Sequence, residues 1–313
     1  MNNIFNGAKK LCHFSKKLWL YKDAVIYEDQ SGIKKVIKKS NNIDKLYNYL
    51  RSRGFDYIPL IEYYDENYYM YKYIDDINTP NEQKASDLIN LYALLHNKTL
   101  YYKDVSIDEI KELYDYINNK IEYTLSYYEN IIEEVENSIY ISPSKYMLAR
   151  NYSSIISCLN FCKIKLDKWY ELSKERLKKR IVLLHNNPKI THVIRNDKKY
   201  LISWNNAYRD NPIYDFIKFY KNYYDKYDFC ELYNEYIKKF PLLKDEKTLL
   251  FTILFIPDII NFNNCEIKNT LSVYSLFNYL FKTDKLFMEN EAKDAKKQDN
   301  KIYEQKKDME SNT

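Results

Sequence analysis

The sequence predicts an α+β protein of two lobes, a small antiparallel sheet with one helix followed by a mostly helical lobe that includes a long helical hairpin. Three observations carry this. Period-two apolar runs crowd the first quarter of the chain. Helical periodicity dominates after Pro80. The one β-like stretch in that second part is short, "HVIRNDKKYLISW" over 192–204. The expected boundaries are 1–75 for the sheet lobe, 76–288 for the helical lobe with its hairpin over 106–180, and 289–313 for a polar tail.

Taken in order, "AVIYEDQSGIKKVIKK" (24–39) is two β-rich runs around a turn at Gln30-Ser31-Gly32, hence a hairpin. Ile43, Leu46, Tyr47 and Leu50 then recur at i, i+3, i+4 and i+7, an amphipathic helix ended near Gly54. "YIPLIEYYDENYYMYKYID" supplies two more strands around Asp65-Glu66-Asn67. Beyond Pro80, Leu88, Leu91, Leu94 and Leu95 share one helix side. Ser106 and Glu109 form a capping box that opens a helix running to about 138. Ser142-Pro143 is a second start signal, and the pattern after it continues past Trp169 to Arg180. "HVIRNDKKYLISW" is a β-hairpin around Asn196-Asp197, and Pro212 opens further helices ending near 288. The polar, mixed-charge segment "ENEAKDAKKQDNKIYEQKKDMESNT" has almost nothing to bury and is expected to be disordered.

Composition excludes several classes. At 313 residues, with 45% hydrophobic and 30% charged residues, the chain is long enough for a sizeable core. The 35 tyrosines against 3 glycines, with abundant Asn, Lys and Ile, fit the AT-rich codons of a low-GC bacterial genome. A net charge of +5 without a concentrated basic face argues against nucleic-acid binding. The runs "KKVIKK" (34–39) and "KERLKKR" (174–180) read as solvated faces, the second closing a long helix. Cys12, Cys158, Cys162, Cys230 and Cys265 show no zinc spacing and read as buried reduced thiols. The N-terminus lacks the apolar segment of a signal peptide, and the longest apolar run, "LLFTILFIPDII", is too short to span a bilayer. The expectation is therefore a cytoplasmic protein with no membrane span.

These stretches, in this order over roughly residues 15–288, resemble the aminoglycoside phosphotransferase and choline kinase-like superfamily, and more narrowly its bacterial spore-coat kinase-like branch. "IKKVIKKS" resembles the strand that carries the phosphate-contacting lysine, which implies that role for Lys38. "YYMYKYID" resembles the strand leading into the hinge, and "LYALLHNKT" the helix that opens the C-lobe. "LLHNNPKITHVI" is similar to the catalytic loop, in which His-x-Asp is followed five residues later by a metal-binding Asn. "YLISW" is similar to the hairpin end Leu-Ile-Asp-Trp/Phe, and "NPIYDF" to the segment whose carboxylate, here Asp215, anchors the C-lobe. The resemblance implies a two-lobed protein kinase-like fold.

The departures weigh on function. Asn187 stands at the catalytic Asp, His192 at the metal-binding Asn and Ser203 at the second metal-binding Asp, and no glycine lies between Gly7 and Gly32 to form a phosphate loop. Asn187 keeps a carboxylate's shape but accepts no proton. Imidazole suits zinc or copper better than magnesium, and a serine hydroxyl is neutral. His185 and Asn187 are thus degenerate catalytic positions, and His192 and Ser203 degenerate metal positions. Plainer roles stand beside these. Lys38 is one of four lysines on its strand, His185 fixes loop conformation, and His96 serves a helix C-cap or core contact. His192 and His185 lack a third ligand for zinc, Asp215 holds loop backbone, and Trp169 and Trp204 are core residues.

The resulting expectation is a pseudokinase acting as a binding, scaffold or regulatory module. No metal is expected, and residual ATP binding without metal is left open. Its partner, an unidentified protein or small-molecule ligand, is expected at the C-lobe cleft and the hairpin. The alternatives are an active small-molecule phosphotransferase with relocated catalytic groups, or a structural spore-coat component.

Overall fold

The computed structural model describes residues 14–20, 24–39, 43–65 and 67–311. Cys12 and Glu66, both named above, lie outside them. Strands β1 (Phe14–Leu20), β2 (Ala24–Asp29), β3 (Lys34–Lys39), β4 (Ile61–Tyr64) and β5 (Tyr68–Lys72) form an antiparallel sheet in the order β1-β2-β3-β5-β4. Helix α1 (Ile43–Ser52) lies in sequence between β3 and β4 and buries Ile43, Tyr47 and Leu50. Local chemistry sets the turns. The Asp29 carboxylate accepts from the amides of Ser31 and Ile33, and Gly32 takes φ +78°, a left-handed conformation glycine adopts without strain. The Asp65 carboxylate accepts from Asn67 and Tyr68 in the same way. β1 is a strand that sequence patterning did not reveal.

The chain continues through α2 (Asn81–Thr99), β6 (Tyr101–Asp104), α3 (Ile107–Glu136), α4 (Pro143–Arg150), α5 (Tyr152–Lys174) and β7 (Lys178–Leu184). The hairpin β8 (Val193–Arg195) and β9 (Lys199–Leu201) follows, then β10 (Tyr208–Asp210), α6 (Ile213–Tyr223), α7 (Phe229–Lys239), α8 (Lys244–Phe255) and α9 (Glu266–Ser311). The N-terminal part is thus a small antiparallel sheet with one helix, and the C-terminal part is mostly helical.

The helix starts follow their caps. Ser106 Oγ accepts from the Glu109 amide at 3.1 Å, and Pro143 opens α4 behind Ser142. Three boundaries differ from expectation. The single helix expected after Pro143 breaks at Asn151, whose side chain donates to the Met147 carbonyl and so competes with the helical ladder. Helicity stops at Lys174 rather than Arg180. Leu177 turns left-handed at φ 45°, and the buried run Ile181-Val182-Leu183-Leu184 extends as β7, where β-branched and aliphatic side chains pack on both faces. Last, α9 runs on to Ser311 through the segment expected to be disordered. That segment has no Gly or Pro and is rich in Glu, Lys, Ala and Gln, all strong helix formers.

The chain divides into two compact units. The first comprises the chain to Tyr101, Arg180–Lys218 and Glu235–Phe240, and the second Tyr102–Lys179, Phe219–Asn234 and the chain from Pro241. In the first, buried Asp87 of α2 takes Lys199 at 2.6 Å and Arg195 at 3.8 Å, tying the β8–β9 hairpin to that helix. In the second, α5 packs on α3 and α8. Tyrosine does much of the core work, with Tyr27, Tyr47, Tyr69, Tyr92, Tyr128, Tyr220, Tyr233 and Tyr236 all buried. Trp169 and Trp204 are buried too. Among the described cysteines, Cys162 is buried, but Cys158 and Cys230 are half-buried and Cys265, just before α9, is exposed. Burial pushes the Cys158 thiol up to about 11, so it stays protonated near neutral pH. No described helix is long and apolar enough to cross a membrane.

Candidate functional site

The site is built from five pieces of the first unit: β3, α2, the loop after β7, the turn after β9, and the first turn of α6. Strand β3 pairs with both β2 and β5, Lys38 lying opposite Ala24 and Tyr69, which fixes its direction. Lys38 is 8% exposed, and its Nζ donates to Ser203 Oγ at 2.7 Å across 165 residues of sequence. Ser203 takes a left-handed conformation (φ 69°, ψ 56°), uncommon for a residue with a Cβ, and its carbonyl accepts from Asn187 Nδ2 at 3.2 Å. The Asn187 carbonyl in turn accepts from His192 Nδ1 at 3.0 Å. Lys38, Ser203, Asn187 and His192, named separately from sequence, are therefore joined in one chain of hydrogen bonds.

Beneath them lies a buried layer. Asp215, 1% exposed in the first turn of α6, accepts from the backbone amides of His185 at 2.9 Å and Asn186 at 2.7 Å. Its Oδ2 also lies 3.2 Å from His96 Nε2. His96 lies in the last turn of α2, with its ring fully buried. It is a core residue whose other nitrogen meets Tyr236 Oη at 2.8 Å, which decides between its two expected roles.

His185 Nε2 donates to the Ile202 carbonyl at 2.9 Å, leaving Nδ1 to accept from Tyr92 Oη at 3.2 Å. A neutral ring meets both demands. Burial pushes the His185 imidazole down to about 4, against the opposing pull of the Asp215 carboxylate. Burial likewise pushes His192 down to about 4, opposed by its bond to the Asn187 carbonyl. With Nδ1–H committed to that carbonyl, the Nε2 of neutral His192 carries the lone pair.

Two participants were not read from the sequence. Asn186 takes φ 54°, donates from Nδ2 to the Asn206 carbonyl at 3.1 Å, and accepts at its own side-chain oxygen from Lys218 Nζ at 2.9 Å. Asparagine tolerates positive φ better than most residues, but it is so common in this chain that the signal is diluted. Lys218, which also donates to the Asn186 carbonyl, carried no local signal at all. The two carboxylates nearest in sequence are engaged elsewhere: Asp197 accepts from Tyr200 Oη at 3.0 Å, and Asp210 accepts from the Asn211 amide at 2.7 Å.

The donor set suits Mg²⁺ badly. A hard dication favours several oxygens, preferably anionic. Here the side chains offered are an amide, an imidazole and a hydroxyl, and the hydroxyl already faces an ammonium at 2.7 Å. Among the described residues there is no group of three or more His, Cys, Asp or Glu that could hold a metal ion.

The chain has the fold of an aminoglycoside phosphotransferase, a small antiparallel sheet, here with Lys38 on its third strand, followed by a mostly helical part in which buried Asp215 holds the loop after β7. The aminoglycoside phosphotransferase of Alicyclobacillus acidocaldarius is similar at a TM-score of 0.62 and 9% identity, over 90% of this chain and 92% of that one. A spectinomycin phosphotransferase solved with ADP and spectinomycin gives 0.49 at 12% identity, over 90% and 98%. An ethanolamine kinase from Plasmodium vivax gives 0.40 at 14%, over 91% and 84%. No family model and no curated protein sequence matches the chain.

Proposed function

We propose that this protein keeps the kinase-like scaffold without phosphotransfer chemistry and works as a binding or scaffold module. The observation that carries the proposal is the Lys38–Ser203 bond. In a phosphotransferase the lysine neutralises phosphate and a carboxylate at the Ser203 position holds the metal. Here the lysine donates to a neutral hydroxyl at that same position, which supplies no anionic metal ligand. Asn187 adds to this. Its amide is a donor to the Ser203 carbonyl, the reverse of a group that would accept a substrate hydroxyl's proton. The partner face is assigned to the helical region α3–α5, where Tyr116, Tyr123 and Tyr146 are exposed.

Thermal shift with ATP, with and without Mg²⁺, tests the reading, because a ligand that binds only the folded state raises the melting temperature. The expected result is no added stabilisation from Mg²⁺ in the natural protein. The triple variant Asn187→Asp, His192→Asn, Ser203→Asp, which restores the anionic oxygens, is expected to gain a Mg²⁺-dependent shift. A Mg²⁺-dependent shift of several degrees in the natural chain, together with transfer of the γ-phosphoryl group to any amino alcohol, overturns the proposal.

A further inference from the structure

Helix α9 carries two apolar faces. Val273, Leu276, Leu280, Thr283, Leu286 and Asn290 are buried within the second unit. On the opposite side stand Ile267, Leu271, Tyr274, Phe281 and Met288, exposed by 75%, 58%, 63%, 68% and 60%. Their spacing is a heptad repeat. Leu271 occupies an a position and Ile267, Tyr274, Phe281 and Met288 occupy d positions, with polar Asn278 and Lys285 at the remaining a positions. Every member is on the helix side away from the core, at 3.5-residue periodicity over about three heptads.

We propose that this stripe is a self-association surface, on which the α9 helix of a second copy of the chain packs antiparallel. At roughly 200 Å² for each large side chain, the exposed fractions amount to about 650 Å². That exceeds the ~300–600 Å² of an ordinary monomer's largest apolar patch. It approaches the ~800 Å² that each partner contributes to a stable interface.

Charge fixes the occupant and its direction. A parallel pair would set Lys285 against Lys285 and bring Asp284 beside Glu289, both like-charged. An antiparallel pair with its two-fold axis between residues 279 and 280 sets Leu271 against Met288, Asn278 against Phe281 and Tyr274 against Lys285. The flanking Lys268 of each copy then meets Glu289 of the other, and Glu289 is 40% exposed. Lys268 is exposed as well. The same residues thus complement one another only when the second helix is a reversed copy of the first, which is the self-complementarity a two-fold interface requires. Of the two polar a-position residues, Asn278 falls nearer the axis, where it would set register. The inference stands whether or not the kinase-like site is inactive.

Sedimentation equilibrium of the full chain tests it, with Leu271→Ser/Phe281→Ser as the variant. Both side chains are exposed, so the variant is expected to melt with the natural protein, which separates lost association from lost folding. The natural chain should dimerise by about 100 µM, and the variant's dimer dissociation constant should rise at least ~100-fold. Mixing Asn278→Cys with Phe281→Cys chains should give the mixed disulfide. Cross-linking of Asn278→Cys to itself instead would overturn the antiparallel arrangement. A monomer at ~100 µM, or a dimer untouched by the double substitution, overturns the proposal. A monomer that binds anionic lipid vesicles through the stripe would overturn it in favour of a membrane surface.

Discussion

Replacing Asp215 separates a structural carboxylate from a chemical one. Its side chain is 1% exposed and serves three donors, the amides of His185 and Asn186 and the Nε2 of His96, at 2.9, 2.7 and 3.2 Å. Asp215→Ala leaves two buried peptide N–H groups and one ring nitrogen without acceptors. Each orphaned buried group costs about 1–3 kcal/mol, and partial rearrangement of the loop lowers the total, so a loss of about 4 kcal/mol follows. Asp215→Asn keeps one side-chain oxygen, which can serve one amide while its NH₂ opposes another, so about 2 kcal/mol is expected.

Trp204 is a local reporter, since it is buried and its ring lies edge-on to His185 at 4.8 Å. In a Trp19→Phe/Trp169→Phe background it is the sole tryptophan, and guanidinium unfolding followed by its fluorescence gives the free energies of both variants. Should Asp215→Ala cost under ~1 kcal/mol, or match Asp215→Asn, the loop is not held by this carboxylate and the reasoning fails.

Further outcomes follow from the same geometry. His185 and His192 titrate at about 4 in the folded protein against 6.5 free, so the unfolded chain binds more protons between those values. Stability is complete above pH 6.5 and falls as pH drops toward 4, by on the order of 2 kcal/mol per histidine between pH 7 and 5. His192→Asn should flatten that slope in a pH series of denaturation curves, and an unchanged slope would refute the assignment. At α3, Ser106→Ala removes the N-cap acceptor for Glu109 and should cost about 1 kcal/mol, read as a lower melting temperature. An equal melting temperature would mean that water replaces the cap without penalty.

The legible part of the fold was the part written in neighbouring residues. The Asp29 and Asp65 turns, the Gly54 stop, the Ser106 cap and Pro143 at the head of α4 are each decided within about five residues, where backbone sterics and side-chain acceptors act directly. What failed did so where packing overrode local preference. "KKRIVLL" follows a helical pattern, yet it is a strand because its apolar run is buried along its whole length. β1 offered no clean alternation to read. Asn186 and Lys218 were missed because their meaning depends on φ 54° at one and on 32 residues of separation between the two.

By itself the sequence determined which groups stand along the chain: a lysine on β3, Asn187 and His192 in the loop, Ser203 after the hairpin, Asp215 at the start of α6. It also determined, through the charges absent at those positions, that any chemistry there must proceed without carboxylates from them. Only the tertiary structure decided what these groups do to one another. Lys38 and Ser203 hydrogen-bond across 165 residues, and His96 and Asp215 across 119. The heptad of α9 makes the same point from the surface. Its periodicity is in the sequence, but a helix apolar on both sides has no inside until the core covers one face. The physical reason is common to both. Hydrogen bonding and burial depend on distance in space, and only the folded chain brings residues so far apart in sequence within reach of one another.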